Sequence, residues 1–230
     1  MALNIVEKVD DRVRVRNALV SVSDKAGLDR LVVGLLRLSP DLRFYSTGGT
    51  YNAIRALLGP AQAGRNLVSV SDYTGQPEMQ GGLVKTLDFR IYLGLLSETY
   101  NDAHTADIRR VNGVAFDMVV VNLYPFRETV GQPGVTPEQA RTNIDIGGPC
   151  LVRAAAKNFL RVAAVTDPAD YARVLEEMAR LDGCTSLGTR FELARKAFAH
   201  TAEYDAAIAR YFAARAIGEV SGCYRMAAGG

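Results

Sequence analysis

The chain has 230 residues, of which 48% are hydrophobic and 23% are charged, a composition typical of a globular protein. This length corresponds to one large domain, or to one domain with an appendage. The 27 basic and 25 acidic residues give a net charge of +2, which argues against a protein whose main task is to bind nucleic acid. The longest apolar runs have six residues, whereas a transmembrane helix needs about 20, so no membrane association is predicted.

The three cysteines, Cys150, Cys184 and Cys223, are far apart and odd in number. This pattern predicts free thiols in a reducing compartment, and therefore a cytoplasmic protein, rather than a disulfide framework. The sequence has two histidines and neither a CxxC nor an HExxH motif, so a metal site is not expected.

Short β-branched segments alternate with amphipathic segments along the chain. Strands are predicted at 17–22, 42–45, 67–70, 117–121 and 161–166, and helices at 28–36, capped by Ser23 or Asp24, and at 50–58, with Ile54, Leu57 and Leu58 inward. The segment 117–121 is apolar enough to be covered on both faces, which is typical of a parallel sheet. The alternation predicts an α/β fold of three layers, α/β/α, around a mainly parallel sheet.

The last third of the sequence is predicted to be helical. A capping box at 136–139 opens a short helix, Asp167-Pro168 opens another, and further helices are expected at about 187–200 and 203–217, followed by a frayed tail. We interpret residues 1–230 as a single domain, with a core at about 17–182 and a helical C-terminal extension at about 183–217.

Ligands of open parallel sheets bind beyond the carboxyl ends of the strands, and polar residues of this chain collect there. The turn 46–50 has the sequence STGGT, in which hydroxyls flank two glycines and a helix begins. These features favour binding of a phosphate monoester, and Lys25 in the neighbouring turn adds a positive charge. The alternative is that Gly48 and Gly49 only make a tight connection.

The segment 81–86 resembles a P-loop superficially, but Val84 stands where a P-loop has glycine. Lys85 in this segment is either a second cation over the pocket or a solvated lysine.

A second glycine-rich turn, 144–149, also precedes a helix, and its N–H groups could bind developing negative charge. Asp145 stands in front of these groups, and Lys157 lies two to three turns into the helix; the alternatives are a helix N-cap and a solvent-facing lysine. His200 is interpreted as a core or interface histidine. The residues alone therefore indicate an α/β domain that binds a small phosphorylated metabolite, without defining the reaction.

The same residues resemble the cyclohydrolase domain of the bifunctional purine-biosynthesis enzyme that makes inosine monophosphate (IMP). The matching segments run in order from about 17 to 211: SVSDK at 21–25, STGGT at 46–50, VSDYTG at 70–75, VKTL at 84–87, NLYPF at 122–126, IDIGG at 144–148, RAAAKN at 153–158, KAFAHTA at 196–202 and YDAAIA at 204–209.

The resemblance implies a methylglyoxal-synthase-like fold, a homodimer and no cofactor. It also implies a reaction, in which the 5-formamido ribotide of imidazole-4-carboxamide (FAICAR) closes its ring to IMP and loses water. The residues that match the phosphate site are Ser23, Lys25, Thr47, Gly48, Gly49, Thr50, Lys85 and Thr86. Those that match contacts to the base are Asn122, Asp145, Ile146 and Gly147, and the catalytic candidates are Lys85, Tyr124, Asp145 and Lys157.

The expected chemistry is an attack by a weakly nucleophilic carboxamide nitrogen on a formyl carbon of the same molecule, so holding the formyl group removes much of the entropic barrier. Asp145 would orient the amide or accept its proton, and a protonated Lys157 would stabilise charge on the carboxamide oxygen. A neutral Lys157 acting as a base is the alternative. The N–H groups of Ile146 and Gly147 would stabilise the oxyanion, and Tyr124 would relay a proton to the departing hydroxyl.

The chain departs from the family pattern in two ways. Leu83 replaces an arginine expected at the phosphate, a loss that could weaken binding ~10–150-fold, and Asp88-Phe89 and Tyr92 replace a His-Pro pair and a histidine; Arg90 is a candidate substitute cation. The formyltransferase domain that follows in the bifunctional enzyme is missing from this sequence, so a separate formylating enzyme is expected. The alternatives considered are a nucleotide-sensing module of the same fold without turnover, and a methylglyoxal synthase.

Overall fold

A computed structural model describes residues 5–77 and 86–227 of the chain. Its centre is a sheet of five parallel strands in the order β4-β3-β2-β5-β6. The strands are β2 (Asn17–Val22), β3 (Arg43–Ser46), β4 (Leu67–Ser69), β5 (Met118–Asn122) and β6 (Ala163–Val165). All five lie at predicted positions, although β6 is shorter than the predicted 161–166, because the backbone N–H groups of Arg161 and Val162 donate to the carbonyl of Asn158 in a turn.

Successive residues of the central strands enter opposite faces of the sheet, and each face is covered by its own apolar core. Leu19 and Val119 belong to one core, whereas Val20 and Val120 belong to the other, and all four side chains are at most 1% exposed. Because both faces are buried, the strands read as continuous apolar runs, and this is why the sequence pattern predicted a parallel sheet.

Helices cover both faces and complete the predicted α/β/α layers. The first layer contains α1 (Leu28–Leu38), α2 (Gly48–Asn66) and α9 (Tyr171–Arg180), and the second contains α4 (Phe89–Leu96), α8 (Gly147–Lys157) and α10 (Leu187–Ala213). The remaining helices are α3 (Val70–Thr74), α5 (Asp102–Arg110), α6 (Phe126–Val130), α7 (Pro137–Thr142) and α11 (Ile217–Ser221), with a 3₁₀ turn at Pro168–Asp170. The capping box that opens α7 and the Asp167 cap are present as predicted.

The helical extension is a single helix of 27 residues, and the predicted division into two helices is wrong. The expected break falls at Thr201, which is 1% exposed and donates its hydroxyl to the carbonyl of Phe198. The buried face of α10 continues through this point from Ala197 to Tyr204, so packing against α8 and β6 maintains the helix.

Two other expectations fail at helix ends. The N-cap of α1 is Gly27, in the left-handed conformation with φ 67°, rather than Ser23 or Asp24. Asp24 instead accepts the N–H of Ala26 and closes a tight turn before the helix, which begins at the predicted Leu28. Helix α2 starts at Gly48 and continues past a kink at Gly59 to Asn66, and Leu57, predicted to point inward, is 45% exposed.

A small antiparallel sheet joins the N-terminal segment to the end of the core and was not predicted. It pairs β1 (Arg12–Arg14) with β7 (Cys184–Ser186) at the edge of the molecule opposite the carboxyl ends of the large sheet. Strands of three residues carry too little periodicity to be recognised in a sequence.

All three cysteines are free, as predicted. Within the described ranges, no three or more His, Cys, Asp and Glu side chains are grouped so as to hold a metal ion.

None of the helices in the described part of the chain combines the length and the apolar character needed to cross a membrane.

Candidate active site

A cavity of about 420 Å³ opens at the carboxyl ends of β2, β3 and β5. The chain runs from β2 outward to β3 on one side, whereas β5 leads to β6 on the other, so the crevice between β2 and β5 is the switch point of the sheet. Twelve of the fourteen predicted site residues line it: Ser23, Lys25, Thr47, Gly48, Gly49, Thr50, Thr86, Asn122, Tyr124, Asp145, Ile146 and Gly147.

One end of the cavity is built to hold an anion. Strand β3 ends at Ser46, Thr47 is the N-cap of α2, and the N–H groups of the first turn of this helix have no acceptor within the helix. Gly48 has φ 48°, which side-chain-bearing residues rarely adopt. A β-carbon built on Gly49 would lie 3.9 Å from the Lys25 ammonium nitrogen, so a full positive charge stands beside the free N–H groups.

The Thr50 hydroxyl is engaged with the protein. Its Oγ1 accepts the N–H of Val22 at 3.1 Å and donates to the carbonyl of the same residue at 3.0 Å. The side chain thereby holds the start of α2 against the end of β2, and it leaves only the backbone N–H of Thr50 to face a ligand.

The Asn122 carboxamide is also bonded to the protein, through its oxygen and one N–H. Its Oδ1 accepts the N–H groups of Ser23 and Asp24 at 2.6 and 2.9 Å, and its Nδ2 donates to the carbonyl of Asp24 at 2.9 Å. The side chain therefore crosses the switch point from β5 and shapes the turn that carries Lys25. The resemblance had assigned Asn122 to the base of the ligand.

The opposite end of the cavity is the turn that opens α8. Asp145 accepts the N–H of Gly148 at 2.8 Å, a contact of the capping type, although the N-cap position of α8 is Ile146 rather than Asp145. A β-carbon at Gly148 would lie 2.3 Å from Asp145 Oδ2, which explains the glycine at this position. The N–H groups of Ile146 and Gly147 precede the helix ladder and have no acceptor within the helix.

Burial raises the pKa of Asp145 above its ordinary value, and the N–H groups of Gly148 and Tyr124 oppose this shift. The ionised carboxylate is therefore a better proton acceptor than a solvated aspartate. It lies beside Tyr124 and Ile146, whose side chains are 50% and 57% exposed although both are large and apolar. These two side chains offer a surface for a flat heterocycle.

The structure does not bring Lys157, one of the predicted catalytic residues, to the cavity. Another predicted catalytic residue, Lys85, lies outside the described residues, as does Leu83. Lys157 is exposed at the last position of α8, and Gly147 is the first. With about 1.5 Å of rise per residue, the two ends of this helix are about 15 Å apart, so Lys157 does not reach the cavity of its own chain.

The proposed substitution of Arg90 for the missing arginine is not supported. Arg90 does not line the cavity and donates to the carbonyl of Tyr73 at 2.8 Å. The neighbouring departures have local explanations. Asp88 is the N-cap of α4 and accepts the N–H of Arg90, and Tyr92 packs against the core with a buried hydroxyl.

Sequence reasoning missed several apolar and hydroxyl residues of the cavity wall, among them Leu87, Thr142 and Ile144. Leu87 and Ile144 belong to the matching segments at 84–87 and 144–148, which could have drawn attention to them, whereas Thr142 is the last residue of α7 and has no such signal.

A second cavity, of about 520 Å³, adjoins the first and shares Ser23, Asn122 and Tyr124 with it. His200 lies in its wall, half-buried, and burial lowers the pKa of this imidazole. The interpretation of His200 as a histidine at the edge of the core fits this environment.

The fold and the cavity define an α/β protein with a candidate anion site at the switch point of a parallel sheet, and comparison with known proteins gives its family. The family model described as "MGS-like domain" matches residues 30–150, and the model "AICARFT/IMPCHase bienzyme" matches residues 155–227. The chain belongs to the MGS-like domain family, and the resemblance to the cyclohydrolase portion of the bifunctional enzyme is confirmed.

Curated relatives carry the name "Bifunctional purine biosynthesis protein PurH". The protein from Synechococcus sp. (strain CC9605) is 48% identical over 199 residues, which are 86% of this chain and 37% of the relative. The protein from Magnetococcus marinus is 46% identical over 201 residues, or 87% of this chain and 36% of the relative. The chain thus spans little more than a third of the length of these relatives.

A solved structure, described as "Crystal structure of ForH", has a TM-score of 0.71 and 33% sequence identity to this chain. The match covers 86% of this chain and 99% of that one.

Proposed function

We propose that the protein is an IMP cyclohydrolase, which closes the ring of FAICAR with loss of water. The observation that carries the proposal is that one cavity joins an anion site at Lys25 and the first turn of α2 to a carboxylate and free N–H groups at the first turn of α8. Its volume lies in the range of small-molecule sites, about 300–1,000 Å³. The similarity to the named purine-biosynthesis proteins supports the same activity.

The reaction forms a bond between the carboxamide nitrogen and the formyl carbon. The formyl oxygen leaves as water with one proton from the carboxamide nitrogen and one from the formamide nitrogen, which becomes doubly bonded to the former formyl carbon. The anion site would hold the 5′-phosphate, and Tyr124 and Ile146 would contact the base. Asp145 would accept the proton that the carboxamide nitrogen loses. The N–H groups of Ile146 and Gly147 would stabilise the oxyanion, and the Tyr124 hydroxyl would protonate the leaving oxygen.

Lys157 requires a second copy of the chain if it takes part in this reaction. It is exposed and lies at the far end of α8, about 15 Å from the turn that faces the ligand. The resemblance implies a homodimer, and in a dimer the Lys157 of one copy can face the cavity of the other. We therefore include a homodimer in the proposal, with the lysine contributed across the interface.

The proposal extends to the setting of the reaction: a cytoplasmic enzyme, a hydrolase acting on a cyclic amidine in the reverse direction. A sensing module without turnover is less well supported, because the cavity combines the anion site with the carboxylate and the free N–H groups. A methylglyoxal synthase would need a histidine at the ligand, and neither His104 nor His200 lines the cavity at the switch point.

The test is an ultraviolet assay of purified protein with FAICAR, with dihydroxyacetone phosphate as the control substrate. Formation of IMP in proportion to protein concentration, with no conversion of dihydroxyacetone phosphate, is the expected result. Tight binding of IMP without turnover of FAICAR would favour the sensing module instead, and conversion of dihydroxyacetone phosphate would identify a methylglyoxal synthase.

A further inference from the structure

Tyr204 connects helix α10 to the turn that carries Asp145. Its side chain is 7% exposed, and its hydroxyl oxygen accepts the N–H of Asp145 at 2.9 Å. The same hydroxyl donates to the carbonyl of Asn143 at 3.3 Å. One side chain, 59 residues further along the sequence than Asp145, therefore holds both peptide groups that lead into the candidate active site.

The contacts continue from this turn to the groups that would face the reacting atoms. The Asp145 carboxylate accepts the N–H of Gly148, so the backbone position of Asp145 sets both the carboxylate and the start of α8. The N–H groups of Ile146 and Gly147 lie between Asp145 and Gly148 in the chain, so their positions depend on those two residues. A shift of Asn143 and Asp145 would move the carboxylate and the N–H groups together.

The Tyr204 ring is itself fixed. It packs edge-on against Phe126, with 6.2 Å between the ring centroids, and Phe126 is 1% exposed. Burial also raises the pKa of Tyr204, so the hydroxyl stays protonated through the neutral range and can donate to Asn143 while it accepts from Asp145. The Tyr204 side chain is therefore held in place, and its hydroxyl keeps the proton that it donates to Asn143.

We propose that Tyr204 is a positioning residue of the active site, whose hydroxyl holds the turn of Asp145 so that its carboxylate and the N–H groups of Ile146 and Gly147 face the substrate. The inference rests on the proposed function for its effect on turnover, but its structural part concerns the turn alone. It acts through Asp145 and touches no reacting atom.

The test variant is Tyr204→Phe, which removes the hydroxyl and keeps the ring against Phe126. The chain offers a matched control in Tyr211→Phe. Tyr211 is also 7% exposed, lies on the same helix and packs on the same Phe126 ring at 5.8 Å, but its buried hydroxyl has no hydrogen-bond partner in the described part of the chain. Both variants remove one buried hydroxyl from one helix, and only the first removes contacts to the turn.

Two measurements are compared for both variants. The first is the kcat and KM for FAICAR, normalised to the folded fraction seen by circular dichroism. We expect Tyr204→Phe to lower kcat about 10-fold while KM changes less than about 3-fold, since the anion site is built on other segments. The second is amide hydrogen exchange of peptides covering 143–148, which should become at least about 10-fold faster in Tyr204→Phe only. Tyr211→Phe should match the wild type in both.

An unchanged kcat in Tyr204→Phe, or a rise in KM that accounts for the whole loss of kcat/KM, would overturn the inference. So would the same exchange rate at 143–148 as in the wild type, or an equal effect of Tyr211→Phe. The exchange measurement needs no turnover. A wild-type protein without cyclohydrolase activity would therefore contradict the proposed function, and the exchange rates would still decide whether Tyr204 holds the turn.

Discussion

The Asn122 carboxamide joins the two sides of the switch point, because it belongs to β5 and hydrogen-bonds to the turn after β2. Within the described part of the chain, its three hydrogen bonds go to Ser23 and Asp24, next to Lys25. The side chain therefore shapes the turn that carries Lys25. A residue that shapes a binding loop should affect substrate affinity more than the chemical step.

Replacing Asn122 with alanine should raise the KM for FAICAR about 10-fold or more and change kcat much less, since loss of the three hydrogen bonds frees the turn of Lys25. Steady-state kinetics would measure this. Asn101→Ala is the matched control, because its carboxamide also accepts a backbone N–H, that of His104, at the start of α5 and outside the cavity. A fall in kcat at constant KM would assign Asn122 to the reaction instead.

Protonation of Asp145 should give the pH profile of kcat/KM an acidic limb, in which activity falls as the pH is lowered. Burial raises its pKa, and the carboxylate must be ionised to accept a proton, so kcat/KM should fall as the pH is lowered through this raised value. The midpoint should lie above the ordinary aspartate pKa of about 3.9. The pH profile of Asp145→Asn should lose this limb together with most of the activity, whereas Asp72→Asn should keep both. A wild-type profile that stays flat down to about pH 4 would contradict the assignment.

Helix α10 shows how distant contacts define an element. Near its start, the Arg190 side chain is completely buried and donates to carbonyl groups of three separate segments. Its acceptors are the carbonyls of Asp10, Asp11, Phe159, Leu160 and Thr185. The arginine thus ties the N-terminal segment, the end of α8 and β7 to one helix. Near the middle of the same helix, Tyr204 reaches the active-site turn.

Arg190→Met should therefore lower the free energy of unfolding by about 3 kcal/mol or more, because five carbonyl acceptors lose a charged donor. Urea denaturation of the folded protein would measure the loss. Arg195→Met is the control on the same helix, where the side chain is exposed, and should change the free energy by less than about 0.5 kcal/mol. Equal effects of the two substitutions would show that the carbonyl contacts contribute little.

The fold of the whole chain separates Lys157 from the cavity, so its predicted catalytic role depends on how two copies of the chain associate. A lysine at one end of α8 and an oxyanion site at the other can serve the same reaction only in different copies of the chain. A homodimer with two shared sites satisfies this requirement.

Subunit complementation tests the arrangement. Lys157→Ala and Asp145→Asn should each be inactive alone, and after mixing and subunit exchange they should recover about a quarter of the wild-type activity, since half of the dimers carry one intact site. Sedimentation would show that both variants are dimers. Activity retained by Lys157→Ala alone would remove this residue from the mechanism. No recovery on mixing, although exchange occurs, would place the lysine within its own chain.

Much of the fold could be predicted because it follows from local periodicity. The strand β5 was recognised from an apolar run that only a doubly covered strand would have, and the short helix α7 from its capping box. The continuity of α10 through Thr201 could not be predicted in the same way. It depends on the buried contacts of this helix with α8 and β6, which are remote in sequence.

For the candidate site, the turns around Lys25, Gly48 and Asp145 were found because glycine and polar residues after strands have a physical reason to be there. The engagement of Asn122 could not be found, since a carboxamide can hold a loop or contact a ligand with the same atoms. Tyr204 was only part of a matching segment, and nothing in its immediate sequence indicates that its hydroxyl meets Asp145.

The amino-acid sequence by itself determined the layered α/β class, the order of strands and helices, and the turns able to bind an anion, because each depends on neighbours within a few residues. Tertiary structure decided the rest. It brought the turns of β2, β3 and β5 around one cavity, assigned Asn122 and Thr50 to shaping that cavity, and left Lys157 at the far end of α8. Those outcomes depend on distances between segments remote in sequence, which only the packing of the helices on the sheet defines.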